Sequence, residues 1–207
     1  MISDVKRRIW FDVMDNKVQY LLLIFFLLVG IAAGTFSVSR LGDTPRQQLS
    51  DYINLLFVSI QIQDIDYFSI FINSFLQNLM VFAIITVFSL SMMGVLVIAL
   101  AMVIKGFCVG FTVGVLSLGI GAGGFLAVIV CTFLPNLVLL PCVCKAAVMG
   151  LNQSVTVIKC RRIPATTRDR LLSARPYLTG MLKVFLVSLL GVAIETLLTP
   201  ALMTLIS

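Results

Sequence analysis

Lys105-Gly106-Phe107-Cys108-Val109-Gly110-Phe111-Thr112-Val113-Gly114 sets one cation in front of three glycines spaced four apart, in a run otherwise free of charge from Tyr67 to Cys144. The surrounding chain of 207 residues is 60% hydrophobic and 12% charged, with a mean hydropathy of +1.11. No soluble domain of this size hides so much apolar surface. Long runs without charge are read as membrane-spanning helices, so the fold class is an all-α integral membrane protein.

The charges mark where the helices end. None occurs from Val18 to Ser39, from Tyr67 to Ile104, or from Gly106 to Cys144. A hydrocarbon core about 30 Å thick takes roughly 20 helical residues. The first gap is therefore one span, and three spans fill the stretch between Tyr67 and the basic segment that begins at Lys159. A fifth runs from Leu178 to Ile206, which makes a bundle of about five transmembrane helices. The apolar run at 18–39 is longer than the roughly 7–15 residues of a signal-peptide core, and it reads as a retained first span.

The net charge of +6 sits in short loops, where it is a topology signal rather than a footprint for nucleic acid. Lys6, Arg7, Arg8 and Lys17 precede the first span, and Lys159, Arg161, Arg162, Arg168, Arg170 and Arg175 fill the segment before the last. Both should be cytoplasmic. The stretch 40–66 carries Arg40 and Arg46 against Asp43, Asp51, Asp64 and Asp66 and should lie outside. The expected organisation is a cytoplasmic amphipathic lead-in at 1–17, a first transmembrane helix at 18–39, and an extracytoplasmic segment at 40–66. A four-span membrane core at 67–207 follows, with a basic cytoplasmic loop at 159–177. The N-terminus is then cytoplasmic and the C-terminus outside.

Within the extracytoplasmic segment Thr44-Pro45 is a helix start. Leu49, Tyr52, Ile53, Leu56 and Phe57 then recur on one face, opposite Gln48, Asp51 and Asn54. Such a helix can lie on the bilayer, cap the bundle, or bind a partner. In the core, Gly106, Gly110 and Gly114 line one face of their helix and let a neighbour approach closely. That neighbour is another helix of the bundle or a second copy of the chain. Lys105 falls near the bilayer midplane, where an ionised side chain costs a few kcal/mol or more unless it is paired. Glu195, about 17 residues into the last span, lies at a comparable depth by helical rise. The two are expected to form an intramembrane charge pair, either as a structural tie or on a transport path. Pro135, Asn136 and Pro141 should kink or break the fourth span, and Pro200 the fifth.

Catalytic patterns are not apparent. The chain has no histidine, no G-x-S-x-G turn, no phosphate loop and no acidic pair within one span. Its five cysteines lie in or beside spans and read as small apolar packing, not as a metal site. An enzyme is not expected, and neither a metal nor a cofactor is implied.

Several of these stretches together resemble the stage II sporulation protein M family. They are the run from Phe71 to Asn78, Lys105-Gly106 leading into Val109–Gly114, Leu134-Pro135-Asn136 with Pro141, and Ile194-Glu195-Thr196-Leu197-Leu198-Thr199-Pro200-Ala201-Leu202-Met203. The resemblance spans nearly the whole chain. In the wider family a His-Gly and then a Glu often lie between the two prolines; here Asn136, Leu137 and Leu140 stand there, so any polar site of those groups is not carried over. The resemblance implies a non-catalytic scaffold in the mother-cell membrane at the sporulation septum. Its partners in the engulfment complex would be stage II sporulation proteins P and D, which cut peptidoglycan. The face of Leu49, Tyr52, Ile53, Leu56 and Phe57 is then the expected docking surface. The rival reading is a transporter, or a membrane subunit of one, that uses Lys105 and Glu195.

Overall fold

The computed structural model describes residues 14–42, 67–119, 134–160 and 167–206, with scattered positions between 44 and 55. Five helices make up this part: α1 (Lys17–Ser39), α2 (Tyr67–Ser89), α3 (Gly94–Gly119), α4 (Leu134–Cys160) and α5 (Thr167–Ile206). Each holds a stretch long and apolar enough to cross a membrane, at Lys17–Ser39, Phe68–Ser89, Gly94–Val115, Asn136–Lys159 and Arg175–Thr196. The chain is a multi-pass membrane protein. Large apolar side chains that would aggregate a soluble protein, among them Leu21, Phe68, Met80 and Leu96, turn outward where lipid replaces water.

The centre of the bundle is α4, in which 56% of the span is buried against at most 28% in any other helix. It is also the least apolar of the five spans, and its position accounts for that: a helix screened from lipid needs no hydrocarbon coat. Val143, Ala146, Ala147 and Val148 pack there on Phe82 and Ile85 of α2, Ile98 and Met102 of α3, and Met181 of α5. Small residues keep these helices close. A methyl group on Gly150 would lie 2.9 Å from Ile98 Cδ1 and 3.0 Å from Ile85 Cγ2.

The most extensive helix pair is α1 with α3. Leu23, Leu27, Gly30, Gly34 and Val38 form the buried row of α1, and Ile98, Met102, Gly106, Gly110 and Gly114 form that of α3. Contacts advance in step along both helices, so α1 and α3 run parallel. A Cβ on Gly106 or Gly110 would strike the carbonyls of Leu27 and Ile31, and one on Gly30 or Gly34 those of Val103 and Phe107. The backbones themselves touch. Thr35 Oγ1 crosses the seam to the Gly110 carbonyl at 3.2 Å, a hydrogen bond that the absence of side chains makes reachable.

Polar groups tie the bundle at the end where α1 begins. Asn16, which opens α1, caps nothing with its side chain. Instead its Oδ1 accepts from Asn152 Nδ2 at 2.9 Å, while Gln19 Nε2 donates to Asn152 Oδ1 at 2.7 Å. The turn at 90–93 is closed by Ser91 N to the Phe88 carbonyl at 2.9 Å and Gly94 N to the Ser91 carbonyl at 3.2 Å. Buried Ser154 of α4 donates to the same Ser91 carbonyl at 2.9 Å. The hydroxyls of Ser89 and Tyr177 meet at 2.7 Å and join α2 to α5.

Two expectations change. The basic segment 159–177 is not all loop: α5 begins at Thr167 and runs unbroken into the last span. Charge excludes a segment from the membrane, not from a helix. The prolines do not break their helices either. Pro135 falls in the first turn of α4, where its missing N–H has no intrahelical acceptor to lose, and α4 continues through Pro141. The α5 backbone likewise stays helical at Pro200. Each interior proline removes one hydrogen bond, which neighbouring helices and local adjustment can absorb.

Candidate functional site

The cluster that needs an account is the polar one inside the membrane. Lys105 is carried by α3 one residue before the first seam glycine, so when Gly106 turns to α1 the lysine turns toward the remaining helices. Glu195 on α5 and Lys105 act on each other as opposite charges. The Glu195 carboxylate also accepts a hydrogen bond from the hydroxyl of Ser74 on α2. Ser74 of α2, Lys105 of α3 and Glu195 of α5 thus act on one another across three helices. Both charged residues are half-buried, a setting in which opposite charges interact far more strongly than in water.

One turn beyond Ser74, Asn78 is 2% exposed. Its Nδ2 donates to the Ser74 carbonyl at 2.8 Å, and its Oδ1 has no hydrogen-bond partner. An unpartnered buried acceptor costs about 1–3 kcal/mol, so polarity has been concentrated here at some expense in stability. The arrangement can neutralise a lysine, orient a carboxylate through a hydroxyl, and fix the relative rotation of α2, α3 and α5. A nucleophile–base pair is not among its members.

The remaining residues singled out from the sequence fall in several places. Gly106, Gly110 and Gly114 all lie in the seam with α1, so this face is occupied by another helix of the same chain. Pro141 lines a groove between α1, α4 and α5. Asn136 is half-buried in the first turn of α4. Leu49 is helical and half-buried, and the described positions 44, 45, 47, 48, 51 and 55 around it are helical too. Tyr52, Ile53, Leu56 and Phe57 lie outside the described residues.

Sequence reasoning gives Ser74 and Asn78 no role in a site. A signal was present: Ser74, Asn78, Phe82, Ile85 and Ser89 recur every three to four residues and are the inward row, whereas Asn73 and Gln77 are exposed. It also passed over Gly30 and Gly34, whose spacing of four matches that of the α3 glycines.

No curated protein and no solved structure matches the chain. The model of one family, described as stage II sporulation protein M, matches residues 22–200. That range holds the α1–α3 seam, Ser74, Lys105 and Glu195 alike. A five-helix membrane bundle matched over most of its length, from within α1 to within α5, places the chain in the stage II sporulation protein M family.

Proposed function

We propose that the chain is a non-catalytic membrane scaffold that recruits and localises peptidoglycan-degrading enzymes at the septum while the forespore is engulfed. The observation that carries this reading is the α1–α3 seam. Backbone packed on backbone makes a rigid platform and leaves no room for a water-filled path between those helices. Polar groups elsewhere in the bundle tie helix to helix, as at Asn16–Gln19–Asn152 and Ser89–Tyr177.

In this reading the N-terminus is cytoplasmic, the C-terminus is outside, and the 40–66 segment faces the compartment where peptidoglycan lies. Family membership supports stage II sporulation proteins P and D as the partners. The amphipathic face of Leu49, Tyr52, Ile53, Leu56 and Phe57 meets a partner's transmembrane or membrane-proximal segment. Replacing Tyr52 and Phe57 by aspartate is expected to abolish co-purification of the amidase partner from sporulating cells, with membrane insertion intact. Retained co-purification removes this helix from the docking surface.

The Lys105–Glu195–Ser74 cluster favours one other reading, a transporter. A cysteine placed at position 105 in a cysteine-free chain separates the two. A scaffold leaves it unreactive to a membrane-impermeant maleimide, whereas a transport path admits the reagent from at least one side.

A further inference from the structure

A second feature lies on the lipid-facing side, away from the charge cluster. Between α1, α4 and α5 runs a groove of about 700 Å³, within the range of sites that hold a sizeable ligand. One wall is Tyr20, Ile24 and Leu27 of α1, and the opposite wall is Val184 and Val187 of α5. Its lining includes two cations, Lys145 and Lys183, and no acidic residue.

The depths of the two lysines agree. Asn152 hydrogen-bonds the first turn of α1 and so marks the end of the bundle. Lys145 lies seven residues further in, roughly 10 Å by helical rise. Tyr177 meets Ser89 at the same end of α2, and Lys183 lies six residues beyond it, roughly 9 Å. Both stems can therefore run along apolar walls and carry their ammonium groups toward the level of Tyr20. Helical rise thus puts Lys145 and Lys183 at one level of an apolar slot.

We propose that this groove is a binding site for an anionic glycerophospholipid. Its phosphate sits between Lys145 and Lys183, and an acyl chain lies along Ile24, Leu27, Val184 and Val187. Basic pockets between membrane helices at the cytoplasmic level bind acidic headgroups in this way. Charge complementarity selects this occupant. A zwitterionic choline headgroup would bring its own cation to the lysines. The segment 1–13, which leads into the first described residues, is itself net positive through Lys6, Arg7 and Arg8 against Asp4 and Asp12. The proposal requires only that the chain spans the membrane and is independent of the scaffold reading.

The full-length protein is reconstituted in vesicles of equal parts phosphatidylglycerol and phosphatidylcholine, extracted in mild detergent, and its retained lipids are counted by native mass spectrometry. Two lysines near the headgroup level predict about a tenfold or greater excess of phosphatidylglycerol. The double variant Lys145→Gln/Lys183→Gln loses that excess, and Lys145→Arg/Lys183→Arg keeps it, which separates charge from folding. Equal retention of the two lipids by the wild type overturns the proposal, as does an unchanged excess in the glutamine variant. Release of the lipid by millimolar inorganic phosphate would show a free-anion site instead. A photo-crosslinker at Val187 that captures residues 1–13 in the vesicles, and not lipid, would assign the groove to the chain itself.

Discussion

The α1–α3 and α2–α5 seams join their helices by opposite means. In the first, glycines bring carbonyl against backbone, and a methyl group has nowhere to go. In the second, Phe185 of α5 stands edge-on to Phe82 and Phe75 of α2, with ring centroids 5.3 and 6.0 Å apart. A groove of about 380 Å³ remains beside these rings. Lipid tails are as apolar as leucine, so burial alone drives neither seam, and packing decides both. A backbone seam admits one separation and one register. A side-chain seam can shift its rotamers and still close.

The largest effect is expected where the backbone seam is forced apart. Gly110→Val puts two methyl groups against the Ile31 carbonyl, and the helices must separate along their length. A loss of at least about 3 kcal/mol is expected, at the upper end for overpacked sites, measured as the unfolding midpoint in mixed micelles. A loss below about 1 kcal/mol would mean that α1 is free to move away and that the seam is not rigid.

Next comes the charge pair where the two seams meet, Lys105 on the glycine helix and Glu195 with Ser74 on the aromatic pair. Glu195→Leu leaves the lysine without its counter-charge, which is expected to cost about 3 kcal/mol. Adding Lys105→Leu should restore most of that loss, because a matched apolar pair carries no desolvation cost. Failure of the double variant to recover would assign Lys105 a second partner. At the aromatic seam Phe185→Leu is expected to cost only about 1 kcal/mol, since a volume-similar apolar group can settle among Phe82, Met181 and the groove. The smallest effect is expected at Gly180→Ala, well under about 1 kcal/mol. Its new methyl meets the terminal Cε of Met149 at 2.5 Å, the far end of a flexible chain that can swing aside. A ranking of Gly180 above Gly110 would invert the comparison.

The two seams also differ in how legible they are. The number of spans followed from the lengths of the gaps between charges, because a charge in hydrocarbon is costly whatever the fold. The close-packing face of α3 followed from three glycines in register. The identity of the helix on the glycine face did not follow, since Gly106, Gly110 and Gly114 specify only that something comes close; Gly30 and Gly34 had to be weighed with them. The prolines do not break their helices: Pro135 is harmless in a first turn, and α4 stays helical through Pro141. Ser74 was obscured because hydroxyls are cheap in a helix, where they can return to the preceding turn as Thr86 does to the Phe82 carbonyl at 2.7 Å. Polarity alone therefore says little about which way such a residue faces.

The parallel course of α1 and α3 carries a consequence for synthesis. The Gly110 carbonyl reached by Thr35 lies 75 residues downstream of it. At roughly 5–20 residues per second, α1 waits about 4–15 s for its mate. Throughout that interval its bare glycine groove is open to any other newly made helix, a second nascent chain's α1 included. Final shape then depends on what occupies the groove first, and a transient cover from the insertion machinery would keep other helices out until α3 arrives.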